Sequence, residues 1–372
     1  MEKIKKYFKS RWVLLFVVLA GLAARMAAAS LGYNFDMQSW IVVADVTSHG
    51  GNVYAETGRY NYGPVWFLVI HALDLLSGHR PEVLHYWVAA VLTMVDLGIF
   101  LFLLRRAGRL PAVLFFLNPI SILITGYGCQ FENLAILLGL WSVQLLGDDF
   151  DHPMNRRKLA GLLVLGVSLM TKHIFFAFPL WLAIKQKGFW QKIIILAVPP
   201  AFFLLSFAPY WPAGRQGILD HVFFYHSNPS NFFYEYFVPK LVQDCLGSQP
   251  LWLCLLIIFA FLSRGRNAFE SLLIYTGVLV AFSPATTNQY LTIPVALAAV
   301  FWSVPFALYV LVTTYHLCVD FNGPHFLPAG CYYDEAIIAL CLALGWLFWR
   351  KQFLQLFQGL RREIELQFGW RR

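Results

Sequence analysis

The sequence predicts an all-α polytopic membrane protein with about 12 membrane-spanning helices, each of which needs about 20 apolar residues. Hydrophobic residues make up 59% of the chain and charged residues only 13%. A soluble domain carries about 25% charged residues. No stretch resembles a soluble domain, so we expect residues 1–372 to form a single integral membrane unit. The net charge of +8 arises from short basic loops and both ends, and no nucleic-acid-binding motif accompanies it.

The first apolar block, WVLLFVVLAGLAARMAAAS, follows the basic segment MEKIKKYFKSR. A basic segment, an apolar run and small residues also make up a secretory signal peptide. We favour an uncleaved first helix, because the run is long for a signal peptide, Arg25 interrupts it, and the topology needs a crossing there.

Basic loops indicate which helix ends face the inside of the membrane. These loops are RRAGR, NRRK, KQKGFWQK, SRGR and RK, at 105–109, 155–158, 185–192, 263–266 and 350–351. The predicted helices are 11–33, 83–104, 111–126, 129–147, 157–171, 174–186, 190–210, 251–263, 267–283, 287–303, 304–318 and 334–349. Both termini then lie inside, and residues 350–372 form a basic amphipathic tail on the inner surface. Its predicted apolar side carries Phe353, Leu356, Leu360 and Ile364.

The first outside loop, residues 34–82, is predicted to contain two surface helices, 37–48 and 65–78. Residues 65–78 are apolar enough to cross the membrane, but a crossing there moves RRAGR outside; it remains the alternative. The first surface helix carries an apolar face made of Met37, Trp40, Ile41 and Ala44. The second carries a polar side made of His71, Asp74 and Gly78. Further outside loops cover 211–250 and 319–333.

Six cysteines are scattered along the chain without metal-ligand spacing. Cys318 and Cys331 belong to one outside region, where a disulfide and two free thiols are both open. No His-rich pair indicates a metal, so we predict no cofactor, with a divalent metal kept as the alternative.

Polar residues gather at the predicted outside ends of the helices. Asp36, in NFDMQSW, follows the first helix and is either a solvated loop residue or a functional carboxylate. Gly63-Pro64, in GRYNYGPVW, predicts a turn. Lys172, in LMTKHIFFAFPLW, is costly inside an apolar block unless it has a partner or a ligand; snorkelling to the interface is the alternative.

These segments, in this order, resemble the polyprenyl-phosphate-sugar-dependent glycosyltransferases of the GT-C superfamily. Residues 62–65 resemble a "YPPL"-like turn, and residues 129–133 an "HFQYN"-like turn, of the dolichyl-phosphoglucose glucosyltransferases. The GPI-type and bacterial phosphatidylinositol mannosyltransferases are similar in outline. The resemblance covers about residues 10–190, a GT-C-like core module, and leaves 190–349 as variable helices and outside loops. Gly63 and Glu132 depart from the family's turns, which leaves sugar and acceptor open.

The resemblance implies an inverting transfer of a hexose, mannose or glucose favoured, from a polyprenyl-phosphate donor to a hydroxyl acceptor. The acceptor is a glycolipid, a lipid-linked glycan or a protein. It also implies that Asp36 is the general base, because a weakly acidic hydroxyl must lose its proton during attack. The reaction is expected on the periplasmic or lumenal side. The length and the lack of an acceptable N-x-S/T sequon favour a bacterial inner membrane, with the ER membrane as the eukaryotic equivalent.

Cations near the leaving phosphate stabilise the transition state. The candidate phosphate-binding residues are Lys172, His173, Arg215, His221 and His226. The candidate sugar- or acceptor-binding residues are Tyr62, Gln130, Glu132, Asn288, Gln289 and Tyr290. Structural alternatives remain: Glu132 as a cap of the following helix, residues 288–290 as helix-end hydrogen-bonding groups, and Arg25 as a snorkelling side chain rather than a phosphate ligand. Asp96 is read as structural.

Two other functional classes are kept. A lipid or sugar transporter or flippase places charges deep in several helices and often carries an inverted repeat, neither of which is evident in the sequence. A non-catalytic scaffold subunit requires that Asp36 be dispensable.

Overall fold

The computed structural model describes residues 11–148, 153–225, 231–285, 287–324 and 326–368, and this part of the chain is all-helical, without a β-strand. It contains 19 α-helices. The first nine are α1 (Arg11–Ser30), α2 (Phe35–Ser48), α3 (Val53–Glu56), α4 (Pro64–Ser77), α5 (Pro81–Arg106), α6 (Arg109–Phe116), α7 (Pro119–Gly126), α8 (Glu132–Leu146) and α9 (Arg156–Thr171). A helix satisfies its backbone hydrogen bonds internally, as a lipid environment demands.

Ten further α-helices follow α9, and this part of the chain also forms three short helical turns. They are α10 (Phe178–Ala183), α11 (Phe189–Leu205), α12 (Trp211–Gly217), α13 (Phe232–Phe237), α14 (Lys240–Leu246), α15 (Ser248–Leu262), α16 (Ala268–Ala281), α17 (Val295–Val300), α18 (Val304–Val319) and α19 (Tyr333–Phe368). The turns are two 3₁₀ helices, His173–Phe175 and Asn288–Thr292, and a π-helix, Ile218–Phe223.

Some helices are apolar enough to span a membrane, by length and composition. Within the described ranges, α1 and α5 are each long and apolar enough to cross a bilayer. The bent pairs α6–α7 and α14–α15 are also long and apolar enough to cross when each pair is counted as one span. The described ranges then contain up to 4 candidate spans. Other apolar helices are shorter, so the larger number of crossings stays a prediction.

Several predicted helices are broken at proline residues. The predicted helix 111–126 consists of α6 and α7, which meet at 46°. Pro119 opens α7, and the Asn118 side chain caps it by accepting the Ile120 N–H at 3.1 Å. Pro lacks an N–H and fits a first helical turn better than an interior. The predicted helix 287–303 is likewise divided near Pro294.

The predicted inside loops meet at one end of the molecule. Arg106 pairs with Asp148 at 2.8 Å, and the other carboxylate oxygen of Asp148 accepts the Ala268 N–H at 2.9 Å. Lys185 Nζ donates to three backbone carbonyls of the loop 263–266. These contacts join loops that are far apart in sequence, in agreement with the predicted arrangement of basic segments.

The first outside loop leaves and returns to the same end of the molecule. His85 Nε2, near the start of α5, lies 3.0 Å from the carbonyl oxygen of Ala29, near the end of α1. Because these two helix ends are adjacent, α4 does not carry the chain to the opposite end. This geometry supports the prediction that residues 65–78 do not cross the membrane.

The two predicted surface helices differ in how well their faces match the expectation. On α2, Met37, Trp40 and Ala44 are buried, as predicted. On α4, the predicted polar side is not uniformly exposed: Gly78 is exposed, whereas Asp74 is buried and lies 2.5 Å from the His79 ring nitrogen. Three leucines of α4 are exposed as well.

The expectation that Arg25 snorkels to the interface or faces a phosphate is wrong. Arg25 is fully buried, and its Nε donates to Asp96 Oδ2 at 2.7 Å. Ser121, Thr125 and Asn133 donate to the same carboxylate at 2.9, 2.8 and 2.6 Å. A buried charge requires such partners. Asp96 therefore has the structural role predicted for it, joining α1, α5, α7 and α8.

The C-terminal region ends in one continuous helix. Helix α19 contains both the predicted span 334–349 and most of the predicted tail. The side chains that form the predicted apolar side of the tail, at 353, 356, 360 and 364, lie outside the described part. Cys318 and Cys331 are free thiols.

Candidate active site

Asp36 lies in the first turn of α2, two residues after Asn34, which caps the helix. Asn34 Oδ1 accepts the backbone N–H groups of Asp36 and Met37 at 3.1 and 3.4 Å. Asn34 Nδ2 donates to Asp36 Oδ2 at 3.3 Å. A helix N-terminus favours a negative charge. The local sequence thus holds the carboxylate in one orientation.

Trp40 joins the Asp36 helix to the turn that precedes α8. Its indole Nε1 donates to the Cys129 carbonyl at 3.1 Å, and its ring meets the Phe131 ring edge-on at 5.5 Å between centroids. Cys129 has φ = 51°, a left-handed conformation that costs energy for a residue other than glycine. The contact with Trp40 therefore holds a strained turn and sets the register between Asp36 and residues 130–132.

The turn at Gly63 brings Tyr62 close to the end of α9. The Tyr60 hydroxyl donates to the Gly63 carbonyl at 2.6 Å and accepts the Phe67 N–H at 3.1 Å. A Cβ atom at position 63 would collide with the backbone carbonyl of Met170. This close approach leaves no space for a side chain at position 63.

A polar cavity of about 590 Å³ opens beside Asp36. Carboxamide side chains supply much of its wall; they belong to Asn34, Asn61, Asn288, Gln289 and Asn322. Carboxamides both donate and accept hydrogen bonds, so this wall suits a ligand with several hydroxyl groups. Arg59 lines the same cavity.

An apolar cavity of about 510 Å³ adjoins the polar one. Its wall contains mostly apolar groups, among them Phe176, Trp252, Leu279, Val280, Pro284 and Ile293, and it also contains Lys172 and His173. The two cavities share Asn61, Tyr62, Tyr225 and Tyr290 in their walls. A polar space with a carboxylate thus meets an apolar space with a lysine.

Lys172 is buried and forms an ion pair with Glu132. Its Nζ also lies 4.7 Å from the ring centroid of Tyr62 and 4.8 Å from that of Phe131. Snorkelling is therefore wrong for Lys172. Glu132 does not line either cavity, and its partner is a lysine rather than a sugar, because a buried carboxylate needs a compensating charge.

His173 lines the apolar cavity as a neutral group. Burial first, and then the Lys172 charge, lowers the pKa of His173 to about 4. At pH 7 its ring therefore supplies a hydrogen bond rather than the positive charge predicted from the sequence. Its buried Nδ1 has no hydrogen-bond partner among the described residues.

The remaining predicted phosphate ligands are not brought into the cavities. Arg215 lies over the Trp211 ring at 5.9 Å and lines neither cavity. His221 packs beside Gly58 at the edge of the polar cavity. His226 lies outside the described residues.

Residues 288–290 have divided roles. The Tyr332 N–H donates to His316 Nδ1 at 3.1 Å, so the proton of the neutral ring is on Nε2, which lies 2.9 Å from Asn288 Oδ1. Asn288 Nδ2 donates to Asp320 at 2.7 Å. The Asn288 side chain therefore positions the 3₁₀ segment. Asn288 also lines the polar cavity. Gln289 lies at the Tyr62 hydroxyl.

Gln130 does not reach either cavity. It is buried, and neither its amide nitrogen nor its oxygen has a hydrogen-bond partner among the described residues. Its predicted contact with sugar or acceptor thus has no support from its position.

The environment of Asp36 favours a proton acceptor. Burial raises the pKa of Asp36, while the Lys172 charge and the hydrogen bond from Asn34 partly oppose this rise. A higher pKa makes a carboxylate a stronger base, provided that it remains ionised at the working pH. Lys172 helps to keep it ionised.

Sequence reasoning missed Arg59, Asn61, Tyr225 and Asn322 as cavity residues. Arg59 and Asn61 lie in the segment GRYNYGPVW, next to Tyr62, so their position in the sequence could have indicated that they belong to the site. Nothing in the sequence indicates this for Tyr225 and Asn322, because only packing brings them to the cavity that contains Asp36.

Within the ranges that the structure describes, no three His, Cys, Asp or Glu side chains converge as a metal site would need.

The chain matches no protein-family model, no curated protein and no solved structure. The geometry of the two adjoining cavities is therefore the basis on which a function is proposed.

Proposed function

We propose that this protein is an inverting glycosyltransferase that moves a hexose, mannose or glucose favoured, from a polyprenyl-phosphate donor to a hydroxyl acceptor. One observation carries the proposal: a polar cavity containing Asp36 adjoins an apolar cavity containing Lys172. A lipid-linked sugar needs both environments side by side. The products belong to glycan or glycolipid biosynthesis.

The donor is assigned to the apolar cavity. Aromatic and aliphatic walls suit an isoprenoid chain, because binding removes apolar surface from water. Its phosphate then lies near Lys172 and the neutral His173, which offer a charge and a hydrogen bond. Glu132 offsets part of the lysine charge, which lets a leaving phosphate depart after transfer.

The reaction is assigned to the junction of the two cavities. An acceptor hydroxyl in the polar cavity attacks the anomeric carbon from the side opposite the phosphate. Asp36 takes the hydroxyl proton as the new C–O bond forms. The old bond breaks with its electron pair on the phosphate oxygen, near Lys172. Attack from the opposite side inverts the anomeric configuration.

The membrane arrangement completes the proposal. We assign about 12 crossings to the chain, some by short or broken helices that line a protein cavity. Asp36 then faces the periplasm of a bacterial inner membrane, or the lumen of the ER in a eukaryote. Its partners are the lipid-linked sugar, a hydroxyl acceptor and membrane lipids.

A transporter or flippase is the main alternative, and the buried Arg25–Asp96 pair is the observation that favours it. Transport pathways commonly contain charges inside spanning helices. However, neither residue lines the two cavities, and the hydrogen bonds around Asp96 satisfy the pair. A scaffold role remains distinguishable by mutation of Asp36.

The first prediction is that Asp36→Asn lowers transfer from radiolabelled polyprenyl-phosphate mannose or glucose by about 100-fold or more, because a positioned base contributes at least that much. The matched control is Asp45→Asn, an exposed acid on the same helix that borders neither cavity. Both purified proteins should remain folded in size-exclusion and thermal-unfolding measurements. Full transfer by Asp36→Asn would refute the assigned mechanism, and transport without transfer would favour the alternative.

A further inference from the structure

We infer that Arg59 recognises a phosphate group on the acceptor, so that the acceptor carries a phosphate beside the hydroxyl that Asp36 deprotonates. This inference rests on the proposed function and specifies its acceptor. Arg59 and Asp36 both line the polar cavity. A hydroxyl and a phosphate on one headgroup can therefore meet both residues.

The Arg59 side chain is exposed and stacks on an aromatic ring rather than pairing with an acid among the described residues. The guanidinium carbon of Arg59 lies 4.5 Å from the ring centroid of Phe35, the residue that precedes Asp36. Stacking on an aromatic face orients a guanidinium while its N–H edges stay available. Those edges match the spacing of phosphate oxygens and bind them in a bidentate manner.

The charge of Arg59 is not compensated within the described part of the chain. Arg59 forms no ion pair there, whereas Arg25, Arg106 and Arg266 each pair with a carboxylate. Asp36 lies in the same cavity wall without pairing with it. The cavity thus contains a cation for a ligand anion and a separate carboxylate for a ligand proton.

The backbone that carries Arg59 is held by specific contacts. The Arg59 N–H donates to Thr57 Oγ1 at 3.1 Å. A Cβ atom at Gly58 would lie 3.4 Å from the His221 ring, which is an ordinary van der Waals distance. Thr57 and His221 therefore lie beside the backbone that carries Arg59.

The donor phosphate has a different ligand. Lys172 lines the apolar cavity and does not border the polar one, while Arg59 borders only the polar one. Two cations on two adjoining cavities fit two separate anions. The carboxamides around Arg59 suit the hydroxyl groups of a phosphorylated polyol, such as a phospholipid headgroup.

The test is binding by the purified full chain in dodecyl maltoside micelles and a phosphate-free buffer, so that the probe supplies the only phosphate, measured by calorimetry. The probes are short-chain phosphatidylglycerol, glycerol 3-phosphate, inorganic phosphate and a short-chain diacylglycerol without phosphate. We expect phosphatidylglycerol to bind and diacylglycerol to bind at least tenfold more weakly, by roughly the energy of a charge-assisted hydrogen bond. Equal binding of the two lipids would refute the inference.

The variants are Arg59→Gln and its matched control, Arg215→Gln. Arg215 also stacks on an aromatic ring but borders neither cavity. Arg59→Gln should weaken phosphatidylglycerol binding by roughly tenfold or more, Arg59→Lys by less, and Arg215→Gln not at all. Competition by glycerol 3-phosphate and inorganic phosphate would assign the site to free phosphates as well; failure of both to compete would assign it to lipid headgroups.

A second probe separates acceptor from donor. Citronellyl phosphate, a short isoprenoid phosphate, should lose affinity in Lys172→Met and keep it in Arg59→Gln. The reverse result would place Arg59 on the donor and overturn the inference. Binding requires no sugar transfer, so the Arg59 site can be established even if Asp36→Asn shows that the proposed reaction is wrong.

Discussion

At the scale of single residues, Asn34 connects the local sequence with the chemistry of Asp36. It accepts two backbone N–H groups as the cap of α2 and donates to the Asp36 carboxylate. Burial raises the pKa of Asp36, and the Asn34 hydrogen bond lowers it in part. The two functions of the Asn34 side chain can be separated, because a serine retains the capping oxygen but lacks the amide donor.

Asn34→Ser should therefore raise the pKa of Asp36 further and leave the protein's stability nearly unchanged. A base is active when ionised, so its activity disappears as the pH falls through its pKa. The acid limb of the kcat/KM profile should move to higher pH in Asn34→Ser, with a similar Tm. An unchanged acid limb would show that another group controls it.

Lys172 and Glu132 form a buried pair in which each residue depends on the other. Lys172→Met leaves Glu132 without a partner and should cost about 3–5 kcal/mol of stability. The double variant Lys172→Met/Glu132→Gln should recover most of that loss in thermal unfolding. If Lys172 binds the donor phosphate, both variants should bind citronellyl phosphate weakly. Normal affinity in the stable double variant would remove Lys172 from the donor site.

At the scale of helices, the close contact between the start of α4 and the end of α9 determines the position of Tyr62. Gly63 faces the Met170 backbone with no space for a side chain. Gly63→Ala should therefore destabilise the protein by about 1–3 kcal/mol, as overpacking does, and lower transfer by displacing Tyr62. Gly265→Ala is the matched control, because nothing lies near that position. Equal Tm values for the two variants would contradict this packing argument.

The other decisive contact between helices is the Arg25–Asp96 network. It joins α1 and α5 to α7 and α8. Helices α1 and α5 are the two that are each long and apolar enough to cross a membrane. Glu132 is the neighbour of Asn133 in this network, so the same helices also set the position of the Lys172 pair. The network therefore supports the cavities without lining them.

At the scale of the whole molecule, the predicted inside loops meet at one end, and the first outside loop returns to the opposite end of α1. A cysteine at residue 79 or 80, in a variant without the native cysteines, should react with a membrane-impermeant maleimide from the outside. A cysteine at Lys192 should react only after permeabilisation. Labelling of residue 79 from the inside alone would turn α4 into a membrane crossing and reverse the sides of the later loops.

Hydropathy and short turn signals were sufficient for the all-helical class, the membrane character and the position of Asp36 after the first helix. These properties depend on residues close together in sequence. Helix breaks at Pro119 and Pro294 were also encoded locally, although the predicted helices ran through them. The buried face of α2 followed from helical periodicity, whereas the burial of Asp74 on the polar side of α4 did not, because it depends on packing between helices.

The partners of the charged residues could not be predicted from the local sequence in the same way. Arg25 and Asp96 are 71 positions apart, and Glu132 and Lys172 are 40 apart. The sequence alone allowed Arg25 and Lys172 to snorkel or bind phosphate, and Glu132 to cap a helix or bind sugar. Asp96 was expected to be structural, but only packing selects the partner of each residue. For the same reason, Asn288 belongs to a His316–Asp320 network, and Arg59 lines the same cavity as Asp36 without an ion pair among the described residues. The local sequence thus determines which helices form and where carboxylates and cations occur, while the packing of distant helices determines which charges are neutralised and which remain available to a ligand.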